Sequence, residues 1–375
     1  MHTTHRARRA FTLIELLTVI FIITVLIAIL VPTLGGVRTS ARKATTQSLL
    51  VGLNNAAAQF ELDNRRKPGY FSAADIGSES NFRNGTGPGL TYLENALLDL
   101  SGVGAISSTQ PDDNSDTWVV VNPVPDDTSR RIWVKADLLG ADEGNYFLPD
   151  RGSLVHLDAS QQPGTITSQQ PADNQLPRGL PDLVDAFGTP ILAWIEDTST
   201  STTITQQHEI VSLSRDDHPA HFYWTGNGSM LSSNSLGEKG NSMLLAPASG
   251  RSLIGKGAFD MGEAEVEGVM AALLGNPGYP DEATLRGGNG YDNVFPRKSR
   301  GDFIAHSAGP DGIYLSGKDK KAGRLIGADT LSSGTLNVRY GINFFLPDGT
   351  RRTGDNGQPV TVDFLDGFDD IVVTE

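Results

Sequence analysis

The feature that most constrains this chain is an almost unbroken apolar run at residues 11–31, preceded by a short basic leader. The leader contains three arginines and no acidic residue, and the apolar run contains a single carboxylate, Glu15. As a helix, the 21 residues of the run span about 31 Å, the thickness of the hydrocarbon core of a bilayer. A carboxylate inside such a segment costs about 3 kcal/mol, so Glu15 requires a partner.

Two ordinary interpretations of this segment leave something unexplained. A secretory signal peptide fits the basic leader, but the apolar run is too long, no small-x-small cleavage site follows it, and an embedded glutamate is unfavourable there. A signal anchor with its N-terminus in the cytoplasm fits both the length and the basic flank, by the positive-inside rule. Neither interpretation gives Glu15 a role.

A third interpretation rests on residues 10–15, which read Ala-Phe-Thr-Leu-Ile-Glu. This segment resembles the cleavage and methylation site of type IV prepilins and type II secretion pseudopilins. The resemblance implies that a prepilin peptidase cuts between Ala10 and Phe11 and methylates the new amino terminus of Phe11. Ala10 stands where the family usually has glycine, and Pro32 falls where the family commonly has a helix-kinking proline.

Cleavage before Phe11 would also supply a partner for Glu15. The new amine lies one helical turn from the carboxylate, in the same subunit or in the subunit packed beside it, and in a low dielectric a pair of opposite charges is favoured over two separate ones. A staggered bundle of such helices would select the register that forms this pair. The alternative is that Glu15 is a tolerated polar residue that reaches water at the cytoplasmic boundary.

The helical pattern continues beyond the apolar run. Apolar residues recur at three- and four-residue spacing to about Asp63, which predicts an amphipathic helix, and Pro68 and Gly69 follow it. The predicted organisation is a leader at 1–10, a transmembrane helix at 11–31, its amphipathic continuation at 32–65 and a globular periplasmic domain at 66–375. The predicted fold class is α+β and pilin-like, with the long helix packed on an antiparallel sheet that carries loop-rich insertions.

Several short segments of the body predict strands and helices. Helices are expected near 90–100 and 264–274, and strands at 118–121, 131–135, 145–148, 153–157, 192–195, 203–214 and 222–225. Residues 185–191 resemble the turn that precedes a sheet strand in major pseudopilins, and Gly188 and Pro190 supply its turn chemistry. We interpret this turn as framework.

The C-terminal part contains a Gly-Pro-Asp-Gly turn and an acidic tail. Major pseudopilins carry a similar turn and acidic segment, which there build a calcium site, and the resemblance implies Ser307, Asp311, Asp369 and Asp370 as its residues here. However, 57 residues separate Asp311 from Asp369, so the two halves need not meet. Carboxylate and carbonyl oxygens are the ligands that calcium prefers, and the alternative is a solvated turn with a solvated tail.

Composition excludes several functions. The net charge of −14 disfavours binding to phosphate backbones, and the absence of cysteine excludes disulfides, thiolate zinc sites and a thiol nucleophile. Residues 250–257 nearly form a phosphate-binding loop, but Gly257 stands where serine or threonine must hold magnesium. His218 and His221 lack an evident third metal ligand, so a surface turn is the better interpretation.

We therefore predict a structural subunit, not an enzyme, of a type II secretion pseudopilus or a type IV pilus. Its expected partners are further copies of itself, other pseudopilins, the prepilin peptidase, the inner-membrane assembly platform and the membrane, with no nucleic acid. It requires no cofactor, apart from calcium if the acidic turn binds it. The expected location is the bacterial inner membrane, crossed once, with the C-terminal domain outside the cytoplasm. The alternative is a minor tip subunit whose large body binds a ligand or a secreted substrate.

Overall fold

The computed structural model divides into two compact units, Met1–Thr45 and Thr46–Glu375. The structure describes residues 12–78, 90–102, 104–111, 118–121, 128–135, 138, 145–155, 180–197, 209–213, 220–233, 252–261, 263–280, 294–319, 338–346 and 348–374. The predicted leader at 1–10 lies outside these residues.

Helix α1, Leu13–Asn64, runs through both units. It stays helical at Pro32 and at the two following glycines, where the sequence predicts a weaker helix. The helix ends where predicted, because Arg65 adopts a left-handed backbone conformation with φ of 56°.

The C-terminal part of α1 is amphipathic, as predicted. Leu50, Leu53, Ala57 and Phe60 are buried at three- and four-residue spacing, which places them on one helix face. The side chain of Asn54 lies on this face and donates a hydrogen bond to the carbonyl of Val373 at 3.1 Å. The helix is thus fixed to the last strand of the chain.

The remaining elements are short. Thr91 caps helix α3 and forms a capping box with Glu94, which explains why this helix begins where it does. The helices are α2 (Ala73–Ile76), α3 (Tyr92–Leu100), α4 (Gly228–Leu231), α5 (Lys256–Met261) and α6 (Glu263–Leu274). The strands are β1 (Ile106–Ser107), β2 (Trp118–Val121), β3 (Ile132–Lys135), β4 (Leu154–Val155), β5 (Asp182–Leu183), β6 (Leu192–Ile195), β7 (Glu209–Leu213), β8 (Ala220–Tyr223), β9 (Phe303–Ser307) and β10 (Ile371–Thr374).

A three-stranded antiparallel sheet with the order β10-β9-β6 organises the body. Ala193 and Ile195 face a hydrophobic cluster that contains α1 and α3. Leu192 and Trp194 face a second cluster that contains α6. Because both faces are covered, β6 and β9 are buried at every position, and β6 reads as a continuous apolar run.

Smaller antiparallel sheets, with the orders β1-β3-β2, β4-β5 and β7-β8, complete the described part of the body. The prediction of a strand at 145–148 is wrong: this segment is irregular, and Tyr146 packs edge-on against Phe60 of α1 at a centroid distance of 5.2 Å. Strand β8 ends at Tyr223, before the predicted Thr225, because Trp224–Asn227 forms a 3-10 helix. The described residues form an α+β fold, as predicted.

Candidate functional site

The N-terminus of helix α1 is closed by a capping box. The backbone N–H of Thr12 donates to Glu15 Oε2 at 2.8 Å, and the Thr12 hydroxyl donates to the same oxygen at 2.8 Å. In return, the backbone N–H of Glu15 donates to the Thr12 hydroxyl at 3.3 Å. The spacing Thr-x-x-Glu is the sequence signal for this motif, and our sequence analysis did not use it. Glu15 therefore has a structural role at the helix start, beside the predicted role of pairing with an amine.

Large apolar side chains cover the N-terminal part of α1. Leu13 is 81% exposed and Phe21 is 67% exposed in the isolated chain, and other leucines, isoleucines and valines of this part are about half exposed. Such a continuous apolar surface is typical of a segment that is covered by other molecules. Among the residues that the structure describes, no helix meets the length and hydropathy required to cross a membrane. Ala10 and Phe11 lie outside the described residues, and Pro32 lies within α1.

Three carboxylates meet at the C-terminal acidic turn. Asp311, Asp319 and Asp369 each place one oxygen within 4.8 Å of the other two. Because calcium binds oxygen at about 2.3–2.6 Å, two oxygens on one ion lie at most about 5 Å apart, and this cluster fits the ion. Asp319 was missed by sequence reasoning, since nothing in its neighbourhood distinguishes it from an ordinary loop aspartate.

The pairing of the last two long strands explains why Asp311 and Asp369 meet despite their separation in sequence. His306 of β9 lies opposite Val372 of β10, and Ser307 lies opposite Ile371. The turn that leaves β9 therefore lies beside the residues that enter β10. The pairing of β9 with β10 thus brings Asp311 and Asp369 together, although 57 residues separate them in the chain.

Gly309 allows the two halves of the turn to approach closely. It adopts a left-handed conformation with φ of 69°, and a Cβ at this position would overlap the carbonyl oxygen of Asp369. Gly312, which ends the 3-10 helix Gly309–Asp311, is also left-handed, with φ of 71°. The backbone N–H of Asp369 donates to Asp319 Oδ2 at 3.2 Å, which ties the loop to the tail.

The other two predicted calcium residues bind protein groups. The hydroxyl of Ser307 donates to Asp185 Oδ2 at 2.6 Å. Asp370 Oδ1 accepts hydrogen bonds from His306 Nε2 at 2.7 Å and from the backbone N–H of Leu315 at 2.9 Å. These contacts place Ser307 and Asp370 beside the cluster as supports of the turn.

The histidine that holds Asp370 is neutral. Burial lowers the pKa of His306 to about 3. Its Nδ1 accepts a hydrogen bond from the indole N–H of Trp194 at 3.4 Å, so Nε2 carries the proton that is donated to Asp370. The contact between His306 and Asp370 is therefore a hydrogen bond of a neutral ring and not an ion pair.

The electrostatics of the acidic turn favour a cation. Burial raises the pKa of Asp311 to about 6, and the neighbouring carboxylates of Asp319 and Asp370 act in the same direction. Like charges at close range disfavour full ionisation, and a bound cation would remove that penalty.

Comparison with known proteins bears on the first of these two sites. The model of the family "Prokaryotic N-terminal methylation motif" matches residues 5–31, which include Ala10, Phe11 and Glu15. A 61-residue stretch is 43% identical to type II secretion system core protein G of Escherichia coli (strain K12). Both matches support the resemblance of the N-terminal part of the chain to type IV pilins and pseudopilins. The resemblance read from residues 10–15 is thereby confirmed.

The match to this pseudopilin is confined to part of each protein. It covers 16% of this chain and 42% of the relative, so the chain spans less than half the length of that protein. No solved structure matches the chain.

The pilin-like turn at 185–191 has a clear structural role. Asp185 Oδ1 accepts the backbone N–H groups of Phe187 and Thr189 at 2.8 and 2.9 Å. Its other oxygen accepts the hydroxyl of Ser307. The turn therefore organises its own backbone and also fixes the end of β9, in agreement with a framework role.

The residues that suggested other chemistry have ordinary positions. Lys256, at the end of the incomplete phosphate-loop pattern, forms an ion pair with Asp260 at 3.0 Å, one turn along α5. His221 is buried on strand β8, and His218 lies outside the described residues.

Proposed function

We propose that this chain is a structural, non-enzymatic subunit of a type II secretion pseudopilus or a type IV pilus. A prepilin peptidase cuts its precursor before Phe11 and methylates the new amine. The mature subunit then polymerises through helix α1 with further copies and with other pseudopilins, on an inner-membrane assembly platform.

The observation that carries this proposal is the methylation motif at residues 5–31, continued directly by the exposed apolar surface of α1. A long apolar helix surface is unfavourable in water, because removing each CH₂ group from water lowers the free energy by about 0.8 kcal/mol. In a filament the same surface of neighbouring helices would cover it. In the precursor, residues 11–31 would lie in the inner membrane and the arginine-rich leader would keep the N-terminus in the cytoplasm.

Glu15 sets the register of this polymer. After cleavage, the amine of Phe11 is a positive charge at the start of an apolar helix, and an uncompensated charge there is costly. The carboxylate of Glu15 on the neighbouring subunit compensates it, and other staggers of the two helices leave both charges unpaired.

The test is the chemical identity of the mature N-terminus. We expect mass spectrometry of the full chain from cells that contain a prepilin peptidase to show an N-terminal N-methylphenylalanine at position 11. Cells without the peptidase should retain Met1 or His2. A mature chain that starts elsewhere, with an unmodified amine, contradicts the proposal.

The second part of the proposal is a calcium site at the acidic turn, held by Asp311, Asp319 and Asp369. It rests on the mutual approach of their oxygens to within 4.8 Å. The ion would offset most of the negative charge of the three carboxylates and lock the tail against the turn, so that the end of the body keeps its shape outside the membrane.

Unfolding of the purified full chain with calcium and with chelator tests this site. A ligand at 100 times its Kd stabilises the folded chain by about 2.7 kcal/mol, so we expect a clear rise in Tm with calcium. Asp319→Asn should abolish the rise, and Asp355→Asn, at an exposed position of the C-terminal loop, should keep it. Equal Tm values with and without calcium would remove this part of the proposal and leave the subunit function in place.

A minor tip subunit is the second candidate. The observation that favours it is the size of the body, since the match to a pseudopilin covers 16% of this chain. In this candidate the larger part of the body recognises a ligand or a secreted substrate.

A further inference from the structure

A lysine and two carboxyl groups meet where the chain leaves helix α1 and reaches the central sheet. The ammonium nitrogen of Lys67, three residues beyond the end of α1, lies 3.5 Å from Asp302 Oδ2. The same nitrogen donates a hydrogen bond to the backbone carbonyl of Glu196 at 3.4 Å. We call Lys67, Glu196 and Asp302 the linkage site.

The central sheet holds the two carboxyl groups of the linkage site side by side. Phe303 of β9 lies opposite Ile195 of β6, so Asp302 and Glu196 form the next cross-strand pair. The backbone N–H of Glu196 donates to the carbonyl of Asp302 at 3.0 Å, and the two side chains share a hydrogen bond. A hydrogen bond between two carboxyl groups requires a proton, so one of the two is in its acid form.

Glu196 is the buried member of the linkage site. It is 2% exposed, and the hydroxyl of Ser299 donates to its Oε2 at 2.8 Å. Burial raises the pKa of Glu196, and the ammonium group of Lys67 acts in the opposite direction. A buried carboxyl group with a raised pKa is suited to accept and return a proton during a reaction.

Lys67 and Asp302 have the chemistry of a nucleophile and its target. A neutral lysine amine attacks carbonyl carbon atoms, and Asp302 Cγ is bonded to the oxygen that the Lys67 nitrogen already contacts. The side chain of Lys67 is 18% exposed and that of Asp302 is 45% exposed. The amine is therefore largely shielded from solvent, and the open side of Asp302 lets a small product leave.

We propose that Lys67 and Asp302 form an intramolecular amide bond, with Glu196 as the proton carrier. A proton moves from the ammonium group to the carboxylate of Asp302, which leaves a neutral amine and a neutral acid. Nζ then attacks Cγ, and Glu196 takes a proton from Nζ and delivers it to the departing oxygen. One N–C bond forms, one C–O bond breaks and one water molecule leaves. No oxidant, reductant or further reactant takes part, and the net charge of the pair is zero before and after the reaction.

The fold supplies the driving force that free amines and carboxylic acids lack in water. Groups that are held in position to react behave as if they were present at about 10⁵–10⁸ M. The ion pair also carries a desolvation penalty, because Lys67 is mostly buried, and the amide removes both charges.

The bond fixes the segment that follows α1 to the central sheet. Because 234 residues separate Lys67 from Asp302, the link closes a long loop and restricts the unfolded chain. The chain has no cysteine, so the amide provides a covalent connection that does not depend on the redox state of the surroundings. This inference goes beyond the proposed subunit function and does not rest on it.

Mass spectrometry of the purified, denatured full chain tests the bond. We expect most chains to have a mass lower than that of the processed sequence by one water molecule. Trypsin should release a branched product that joins residues 67–83 to residues 301–318. Recovery of these two peptides only as separate species shows an ordinary ion pair and overturns the proposal. This holds even if the intact chain has lost water, since a succinimide at an Asp-Gly step has the same mass change.

Two substitutions assign the roles within the linkage site. Lys67→Arg keeps the positive charge, but the guanidinium stays protonated, so we expect no branched peptide. Glu196→Gln keeps the shape of the side chain but cannot carry the proton. General acid–base catalysis contributes about 10²–10⁴-fold to a rate, so a pulse-chase should show linking slowed at least about tenfold.

Lys256→Arg is the matched control. Lys256 lies 3.0 Å from Asp260, closer than Lys67 lies to Asp302, but this pair spans one turn of the surface of α5. The substitution should leave the branched peptide and the mass of the linked chain, apart from the exchanged residue, as in the unsubstituted protein. A branched peptide that joins Lys256 to Asp260 would show that proximity alone suffices and would overturn the role of Glu196.

Thermal unfolding separates a lost bond from a lost fold. Lys67→Arg should remain folded with a lower Tm than the linked chain, because its unfolded state is no longer constrained. Glu196→Asp withdraws the carboxyl group by one carbon, and it should also link more slowly if Glu196→Gln does not fold. Unchanged linking in a folded variant at Glu196 overturns its role, whereas the branched peptide of the unsubstituted chain decides the bond itself.

Discussion

Glu15 is the residue on which the proposed assembly depends, and two of its interactions must be separated. Its carboxylate accepts the N–H and the hydroxyl of Thr12, which satisfies donors at the start of α1. Its charge is also the expected partner of an amine on Phe11. The first role needs a hydrogen-bond acceptor, and the second needs a full negative charge.

Two substitutions distinguish these roles. Glu15→Gln keeps an acceptor that suits a capping box but removes the charge, so we expect assembly to fall at least about tenfold. Thr12→Ala removes the cap at a cost of about 1 kcal/mol but keeps the charge, so filaments should still form. The measurement is the yield of sheared filaments. Normal yield from Glu15→Gln together with loss in Thr12→Ala would assign Glu15 to capping alone.

A second residue-scale feature is a pair of buried carboxyl groups, Glu94 of α3 and Asp182 of β5. They are 1% and 3% exposed. Burial raises the pKa of Glu94 to about 8. Burial and the charge of Glu94 raise the pKa of Asp182 well above its ordinary value. Burial therefore favours the protonated form of both carboxyl groups.

This pair makes stability depend on pH. Because the pKa of Glu94 is raised in the folded chain, protonated Glu94 contributes to the free energy of unfolding. This contribution is complete below pH 4.5 and is lost as the pH rises through about 8. We expect the free energy of unfolding to fall by a few kcal/mol between pH 5 and pH 9. Glu94→Gln should reduce this fall in the free energy of unfolding with pH. Asp260→Asn, at a carboxylate 58% exposed, should leave the fall unchanged. An unchanged fall in Glu94→Gln would exclude the pair as its cause.

At the scale of elements, the antiparallel pairing of β9 with β10 is what builds the acidic turn. The pairing brings Asp311 and Asp369 to one end of the sheet, and Gly309 lets the backbones touch. The hydrogen bonds of Asp370 with His306 and Leu315 keep the tail in place. The turn is thus a consequence of the sheet and not of local sequence.

Gly309 and Gly357 form a matched pair for testing this geometry. Their φ angles are 69° and 72°, so alanine costs about 1–2 kcal/mol of backbone strain at either position. At Gly357 a Cβ meets nothing within 4 Å, but at Gly309 it meets the backbone of Asp369. We expect Gly309→Ala to lower the free energy of unfolding by about 1–3 kcal/mol more than Gly357→Ala.

Thermal unfolding of both variants measures the difference. Gly309→Ala should also weaken any calcium-dependent rise in Tm, because it displaces Asp369. If the two variants lose the same free energy of unfolding, the tail moves away from the new Cβ without cost. The turn would then be less rigid than we infer.

At the scale of the whole molecule, the central sheet carries a hydrophobic cluster on each of its two faces. Helices α1 and α3 belong to the cluster on one face, and α6 with Trp224 belongs to the cluster on the other. Because the second face is also covered, the body has a second core beyond the one that packs on α1. The segments that pack on the second face, among them α6, are therefore part of the folded core and not an appended loop.

The role of this body predicts the abundance of the chain in filaments. For the proposed main subunit, quantitative mass spectrometry of sheared filaments should find this chain as the dominant component. A share of a few per cent or less, with filaments still formed by other pilins, would favour the tip subunit instead.

Sequence and structure contributed differently to these conclusions. The capping box, the end of α1 and the apolar strand β6 follow from nearest-neighbour spacing, because helix caps and strand faces depend on residues within one or two turns. The segment at 145–148 was predicted wrongly because Tyr146 and Phe147 pack on α1 instead of pairing in a sheet. Tertiary packing overrides local strand propensity in such segments.

The sequence by itself determined the helix spine, its methylation motif and the acidic character of the tail, because these depend on residues that are neighbours in the chain. Only the tertiary structure decided that Asp319 joins Asp311 and Asp369, and that Ser307 binds Asp185 instead. Contacts across such separations are set by strand pairing and core packing, whose partners no local pattern specifies.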